Sequence, residues 1–469
     1  MNKEASRIIS FLVIPWLLLA IIGPHFMSSL LAFFSLSVVF QLFFRLRNPI
    51  YATLFFALLF QWLAINIKIV YGNISGLPLE EQFSFYQNIY RLYDANAISN
   101  IGLICFSLGL YWMTNKKMSG LTIDKIIDSS YSVRKILICY LILTFGFSFL
   151  FILKNYIPGL NTILMAFSKL KWGVFIWAFV YANYYKRDLK LLYIVILVEV
   201  LIGFTGYFSS FKDIIIIAFI GMLSVVYQID MSKLFKFLML GIATLMLGLV
   251  WTSVKMEFRD YLSGGGGQRV VVSQSDGVNK MISLLEELTL EDMEDAVDDL
   301  LDRISYIEFF SITLDNVPDR IPHQNGEIFS NAVSFYFKPR IFFPNKGVID
   351  DSEHTNKYTM LGLVGGGKAS HSIGYMTDAY IDFGPINMFP FLAFLGAIFG
   401  YVINLFFNKS KTMFWAVIFI TPFYFLISVY SFNMIKVMGN MITYFVPVFL
   451  LRNLLYKYFD KYFRSVNTN

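Results

Sequence analysis

Apolar runs of about 11–22 residues recur along almost the whole chain, and their recurrence limits what it can fold into. A run of that length crosses a bilayer only as a helix, because no water is present there to satisfy backbone N–H and C=O groups. The runs fall at about Ile8–Ile22, Phe26–Phe44, Ile50–Val70, Ala97–Met113, Ile136–Leu153, Trp172–Tyr185, Leu191–Tyr207, Ile214–Tyr227 and Phe237–Ser253. After one long polar stretch they resume at Ile386–Phe407, Met413–Tyr430 and Met441–Leu451. Only 15% of the 469 residues are charged, against about 25% in soluble domains. The expected fold is an all-α polytopic membrane protein with about 12 transmembrane helices. Residues 1–253 hold the first nine, 254–385 form one large loop domain, and 386–469 hold the last three and a basic tail. Met1–Gly23 lacks a small-residue cleavage site, so it is read as a retained first helix.

The net charge of +6 is read as a topology signal and not as a nucleic-acid footprint. With Met1 inside, the clusters Arg45/Arg47, Lys116/Lys117, Lys186/Arg187, Lys233/Lys236, Lys409/Lys411 and Arg452–Arg464 all fall on the inner side. Positive charge is retained on the cytoplasmic face, so the long loop faces outward. Segment Trp172–Tyr185, short and flanked by Lys169 and Lys171, is the weakest of the crossings. Cys105 and Cys139 lie in apolar segments and read as buried thiols.

Chemistry-bearing residues concentrate in the loop. Ser263–Gly267 reads as a flexible linker and not as a phosphate cradle, which would need a strand before it and a helix after it. Leu284–Asp302 is acidic with apolar residues at helical spacing, the pattern of an amphipathic helix. Its carboxylates lack the spacing of a calcium loop, so no metal site is assigned. Arg303 ends that helix, where a cation complements the dipole. Lys255 and Arg259 lie four apart and share one face if the preceding helix continues above the bilayer. With Lys212 in a neighbouring loop they form a positive pocket suited to pyrophosphate, whose oxygens match the guanidinium fork. In Lys338-Pro339-Arg340-Ile-Phe-Phe-Pro344-Asn345-Lys346 the prolines hold cations on a stiff extended segment. Gly365–Gly367 precede His371, which lies in a polar Gly/Ser-rich loop and is ranked above His354 and His323 as an acid/base. Asp378 and Asp382 bracket Tyr380 at the mouth of the next crossing, where an ionisable group signals function.

These residues resemble the Wzy-type O-antigen and oligosaccharide repeat-unit polymerases. The resemblance rests on Lys338-Pro339-Arg340, Pro344-Asn345-Lys346, the Ser-containing gap and Asp378-Ala-Tyr380-Ile-Asp382-Phe383-Gly384. Val254–Arg259 and Gly206–Asp213 look like the family's outer-loop entrance and short cationic loop. Asp378 stands where the family pattern has Glu, and Asp382 where it has Asn. The resemblance implies a GT-C-like fold in the bacterial inner membrane with a periplasmic loop, and no cofactor. It implies transfer of a growing glycan from undecaprenyl pyrophosphate to a new lipid-linked repeat unit. The partners are then lipid-linked donor and acceptor, the bilayer and a chain-length regulator, with no nucleic acid.

The residue chemistry agrees, because a departing pyrophosphate needs its growing charge held. Arg340, Arg259 and Arg303 are the expected clamp, with Lys212, Lys255 and Lys346 in support and Tyr380 beside the substrate. His371, then Asp378, is the expected base for the acceptor hydroxyl. The rival readings are an O-antigen ligase, which differs only in acceptor, and a lipid-linked glycan flippase. A flippase calls for charges deep in the crossings, where Glu199 is the clearest case. A protease would need a Cys or Ser paired with a His, and neither cysteine lies in the loop.

Overall fold

A computed structural model of the chain describes residues 2–83, 89–114, 116–150, 160–205, 211–264, 271–338, 343, 347, 349–363 and 370–464. Among the described residues the regular structure is helical, with one isolated bridge, Tyr131–Arg464, and no strand. Helices α1 (Lys3–Ile22), α2 (Phe26–Phe43), α3 (Pro49–Ser75) and α4 (Ile89–Met113) come first, then short α5 (Lys116–Ser119) and α6 (Ile123–Ile126). Next are α7 (Val133–Leu150), α8 (Leu160–Ser168), α9 (Leu170–Tyr185), α10 (Leu189–Thr205), α11 (Phe211–Val225) and α12 (Met231–Ser263). The polar stretch supplies α13 (Gln274–Glu287), α14 (Leu290–Ile304), α15 (Ile307–Asn316), α16 (Glu327–Tyr336) and α17 (Asp351–Thr359). The chain closes with α18 (Tyr375–Lys409), α19 (Met413–Ile420), α20 (Phe423–Ile427) and α21 (Met434–Phe463). Eight helical stretches are long and apolar enough to cross a bilayer: α1 to α4, Ile163–Tyr185 spanning α8 and α9, α12, α18 and α21. The stretch flanked by Lys169 and Lys171 is therefore longer than its sequence suggests, because α8 runs into α9.

Two devices hold the bundle together where hydrophobicity gives no net drive between helices in lipid. Small residues bring α4 and α18 into backbone contact: a Cβ on Gly109 would overlap the Ala393 carbonyl, and one on Gly396 the Phe106 carbonyl. Gly396→Leu is therefore expected to cost at least the ~1–3 kcal/mol of an overpacked core and to sharply reduce recovery of monodisperse protein in detergent. Polar side chains knit α2, α3 and α4. Asn100 Oδ1 accepts from Ser35 Oγ (2.6 Å) and Asn66 Nδ2 (3.0 Å), while Asn66 Oδ1 accepts from Asn96 and Asn100. All four are fully buried, and satisfying them is what makes their burial tolerable.

At one end of the bundle Arg47 pairs with Asp124 and lies over the Tyr227 ring at 3.4 Å. There too Arg464 joins Asp460 (2.9 Å) and Asp128 (3.3 Å), and Ser132 N donates to Phe463 O. Helices α14 and α15 are tied to the other end by Arg91–Asp315 (3.1 Å) and by buried Lys68 bonded to Asp302.

The acidic stretch forms two helices, not one. Thr289 and Asp292 make a capping box that starts α14 afresh after α13 ends at Glu287. Helix α18 begins already at Tyr375, inside the expected loop, and is broken only at Gly384 (φ 73°), just before Pro385. The early start is possible because Asp378 and Asp382 find partners there.

Candidate functional site

The three N-terminal ends of α17, α18 and α21 meet at one place. Asp350 starts α17 by accepting from Ser352 N (2.9 Å) and Glu353 N (3.3 Å). That turn puts Asp351 and His354 on one face. Asp378, in the first turn of α18, is 1% exposed. Its Oδ1 lies 2.7 Å from His354 Nε2, and its Oδ2 accepts from Met434 N at 2.6 Å. The second bond fixes the carboxylate and leaves its first oxygen aimed at the imidazole. Accepting from Nε2–H sets the tautomer that leaves a lone pair on Nδ1. Among the described residues Nδ1 has no hydrogen-bond partner. Burial pulls the His354 pKa down, but the charge of Asp378 and the bond to it outweigh burial, so the net shift is upward from 6.5.

One turn away Asp351 is buried and pairs with Lys436 at the start of α21. It also accepts from Asn433 Nδ2 (2.9 Å) and Ser370 Oγ (2.6 Å). Removing Lys436 would leave an under-compensated buried carboxylate, the costly case for such a pair.

A second group gathers where α12 leaves the bundle and α14 returns. Lys255 and Arg259 share a face of α12, and the charge of Lys255 is felt with those of Arg303, Arg259, Asp299 and Lys212. Asp299 opposes these cations, and Asp213 lies beside Lys212.

Of the residues singled out in the sequence, Lys212, Lys255, Arg259 and Arg303 come together. Asp378 and His371 lie together in the other group. The His371 ring packs against Phe309 (6.5 Å), while its backbone N–H donates to Ser352 Oγ and its C=O accepts from Thr355 Oγ1. Tyr380 is buried away from both groups, donating to Val317 O (2.9 Å) and packed on Phe310 and His323. Asp382 accepts from Ile328 N (3.0 Å) and Phe329 N (2.8 Å), so it caps the N-terminus of α16. Arg340 and Lys346, with Pro339, Pro344, Gly265–Gly267, Gly365–Gly367 and most of the 206–213 loop, lie outside the described residues. Among the described residues no group of three His, Cys, Asp or Glu side chains is placed to hold a metal ion. Sequence reading ranked His354 below His371 and did not single out Asp351 or Lys436. The run Asp350-Asp351-Ser352-Glu353-His354 carries an N-cap signal that would have set Asp351 and His354 on one helical face.

Residues 69–459 match the family model described as Domain of unknown function (DUF8712). The chain belongs to that family. The DUF8712 region begins late in α3 and runs to the last turns of α21, so it contains both the His354–Asp378 pair and the Lys255 group. No curated protein and no solved structure matches the chain.

Proposed function

We propose that this DUF8712 protein is a glycosyltransferase that polymerises lipid-pyrophosphate-linked oligosaccharide repeat units at the outer face of the inner membrane. The observations that carry this reading are a fixed His354, its Nδ1 unbonded among the described residues, and a concentration of cations around Lys255. In this reading α7, α10, α11 and α19–α20 join the eight longer stretches as crossings, about twelve in all. The loop domain and both groups then lie outside.

The chemistry follows from the two groups. His354 Nδ1 takes the proton of the acceptor hydroxyl, and Asp378 stabilises the imidazolium that forms. The freed oxygen bonds to the anomeric carbon of the donor glycan as that carbon's bond to pyrophosphate breaks. The bonding electrons leave with the lipid pyrophosphate, whose charge meets Lys212, Lys255, Arg259 and Arg303. This assigns the base to His354 in preference to His371, because only His354 has an imidazole held by a buried carboxylate. Arg340 and Lys346 complete the proposed clamp from the sequence pattern.

A lipid-linked glycan flippase is the second reading. One observation favours it: Glu199, buried on α10, accepts from Tyr140 (2.7 Å), Thr144 (3.0 Å) and Lys171 (3.2 Å). The glycan profile of cells deleted for the gene separates the readings. Loss of a polymerase leaves a single repeat unit on its acceptor. Loss of a ligase leaves none, and loss of a flippase traps lipid-linked units on the inner leaflet. Long chains in the deletion strain would overturn the polymerase assignment.

A further inference from the structure

Helix α12 stands apart from the bundle that it borders. Only 6% of its apolar stretch is buried, against 72% for α3. It touches its neighbours at two levels. Near its start Phe237 stacks on Phe219 of α11 with ring centroids 6.2 Å apart. Higher up, Trp251, Val254, Phe258 and Leu262 cluster with Met281 and Leu284 of α13, and Ser253 Oγ donates to Asp292 O of α14 (3.1 Å). At Gly248 a Cβ would come within 3.9 Å of Leu300. Between these levels Gly241 lies on the same helical stripe as Phe237 and Gly248, four and seven residues away. A Cβ on Gly241 would meet nothing within 4 Å. Leu238, Ile242 and Leu245 beside it are 59%, 44% and 47% exposed. A helix at the edge of a bundle ordinarily buries one stripe along its whole length. Here about 16 Å of helix, from Phe237 to Gly248, leaves an apolar slot open toward the bundle.

The slot ends about 10 Å below Lys255, at 1.5 Å per residue. Above it therefore lies the group Lys212, Lys255, Arg259 and Arg303, which favours an anion. We propose that the slot between α12 and α11 receives the isoprenoid tail of the lipid carrier whose pyrophosphate those cations hold. This rests on the reading of the cation group as the pyrophosphate site, and it adds where the tail runs: along the inner stripe of α12, under α14. A tail gripped there places the scissile head at a fixed height, which is the proximity that transfer between two lipid-borne substrates needs.

The test uses the full chain in nanodiscs. Undecaprenyl pyrophosphate is expected to bind at least tenfold more tightly than farnesyl pyrophosphate, which has the same head and a short tail. Gly241→Trp and Thr244→Phe, the latter three residues on and on the same helical stripe, fill the slot and are expected to abolish that gain while inorganic pyrophosphate binds as before. In the unaltered protein, undecaprenyl pyrophosphate bearing a diazirine on its tail is expected to label residues between 237 and 248. Labelling confined to other helices overturns the proposal whatever the variants do. Equal protection from labelling by phosphatidylglycerol overturns it too, as it makes the slot an ordinary lipid annulus. If the long-chain gain persists in both variants, the slot is wrong and the cation site stands. If inorganic pyrophosphate fails to bind the unaltered protein, the head-group reading falls and the slot assignment with it.

Discussion

Replacing His354 by Gln is expected to reduce glycan transfer by about 10²–10⁴-fold, the usual contribution of a positioned general base. The variant should remain folded, because Gln keeps a donor for Asp378 and the imidazole is only partly buried. His371→Gln, by contrast, should leave most activity, since the backbone and not the ring of His371 makes its hydrogen bonds. The reverse ranking in a purified assay would return the base to His371. Asp378→Asn adds a signature that a merely structural role does not produce. The base must be neutral, so activity falls as pH drops through the raised pKa of His354. Without the Asp378 charge, burial dominates and the pKa moves down. The acid limb of the pH–rate profile then shifts to lower pH, with a lower plateau.

Stability should move in the opposite sense. A histidine whose folded pKa lies above 6.5 contributes stability that is fully present below pH 6.5 and is lost as pH rises through the folded value. Asp378→Asn should therefore lower the melting temperature more at acid than at alkaline pH. Thermal scans across that range check it, and a pH-independent loss would remove the charge pairing from the account.

The second large effect concerns the cations. Arg259→Ala with Arg303→Ala is expected to lower transfer by at least the ~10²–10³-fold seen when one charge-stabilising donor is lost. The melting temperature is the second readout. Inorganic pyrophosphate should raise it in the unaltered protein and not in the double variant, as a ligand of the folded state does. A double variant that keeps its activity, or that melts early with no response to pyrophosphate in either protein, would discard the clamp.

Much of this architecture was legible from apolar periodicity and charge. The helical class, the long polar interruption and the shared face of Lys255 and Arg259 follow from it, because bilayer length and the 3.6-residue turn are local constraints. The capping box at Thr289 and Asp292 was equally local, and reading it would have split the acidic stretch in advance. Gathering Arg303 with Lys255 required α14 to fold back along α12, a contact made by Ser253 and Asp292 that no spacing announces. Which of His323, His354 and His371 meets a buried carboxylate was equally non-local. That pairing is made by the convergence of α17, α18 and α21, where Met434 N–H holds one oxygen of Asp378 and turns the other toward His354. The sequence by itself determined how each stretch lies along or across an apolar layer, since that depends on neighbours within a few turns. Which distant charges face one another was settled only by tertiary structure, because the Coulomb and hydrogen-bond terms that define a site depend on separation in space and not along the chain.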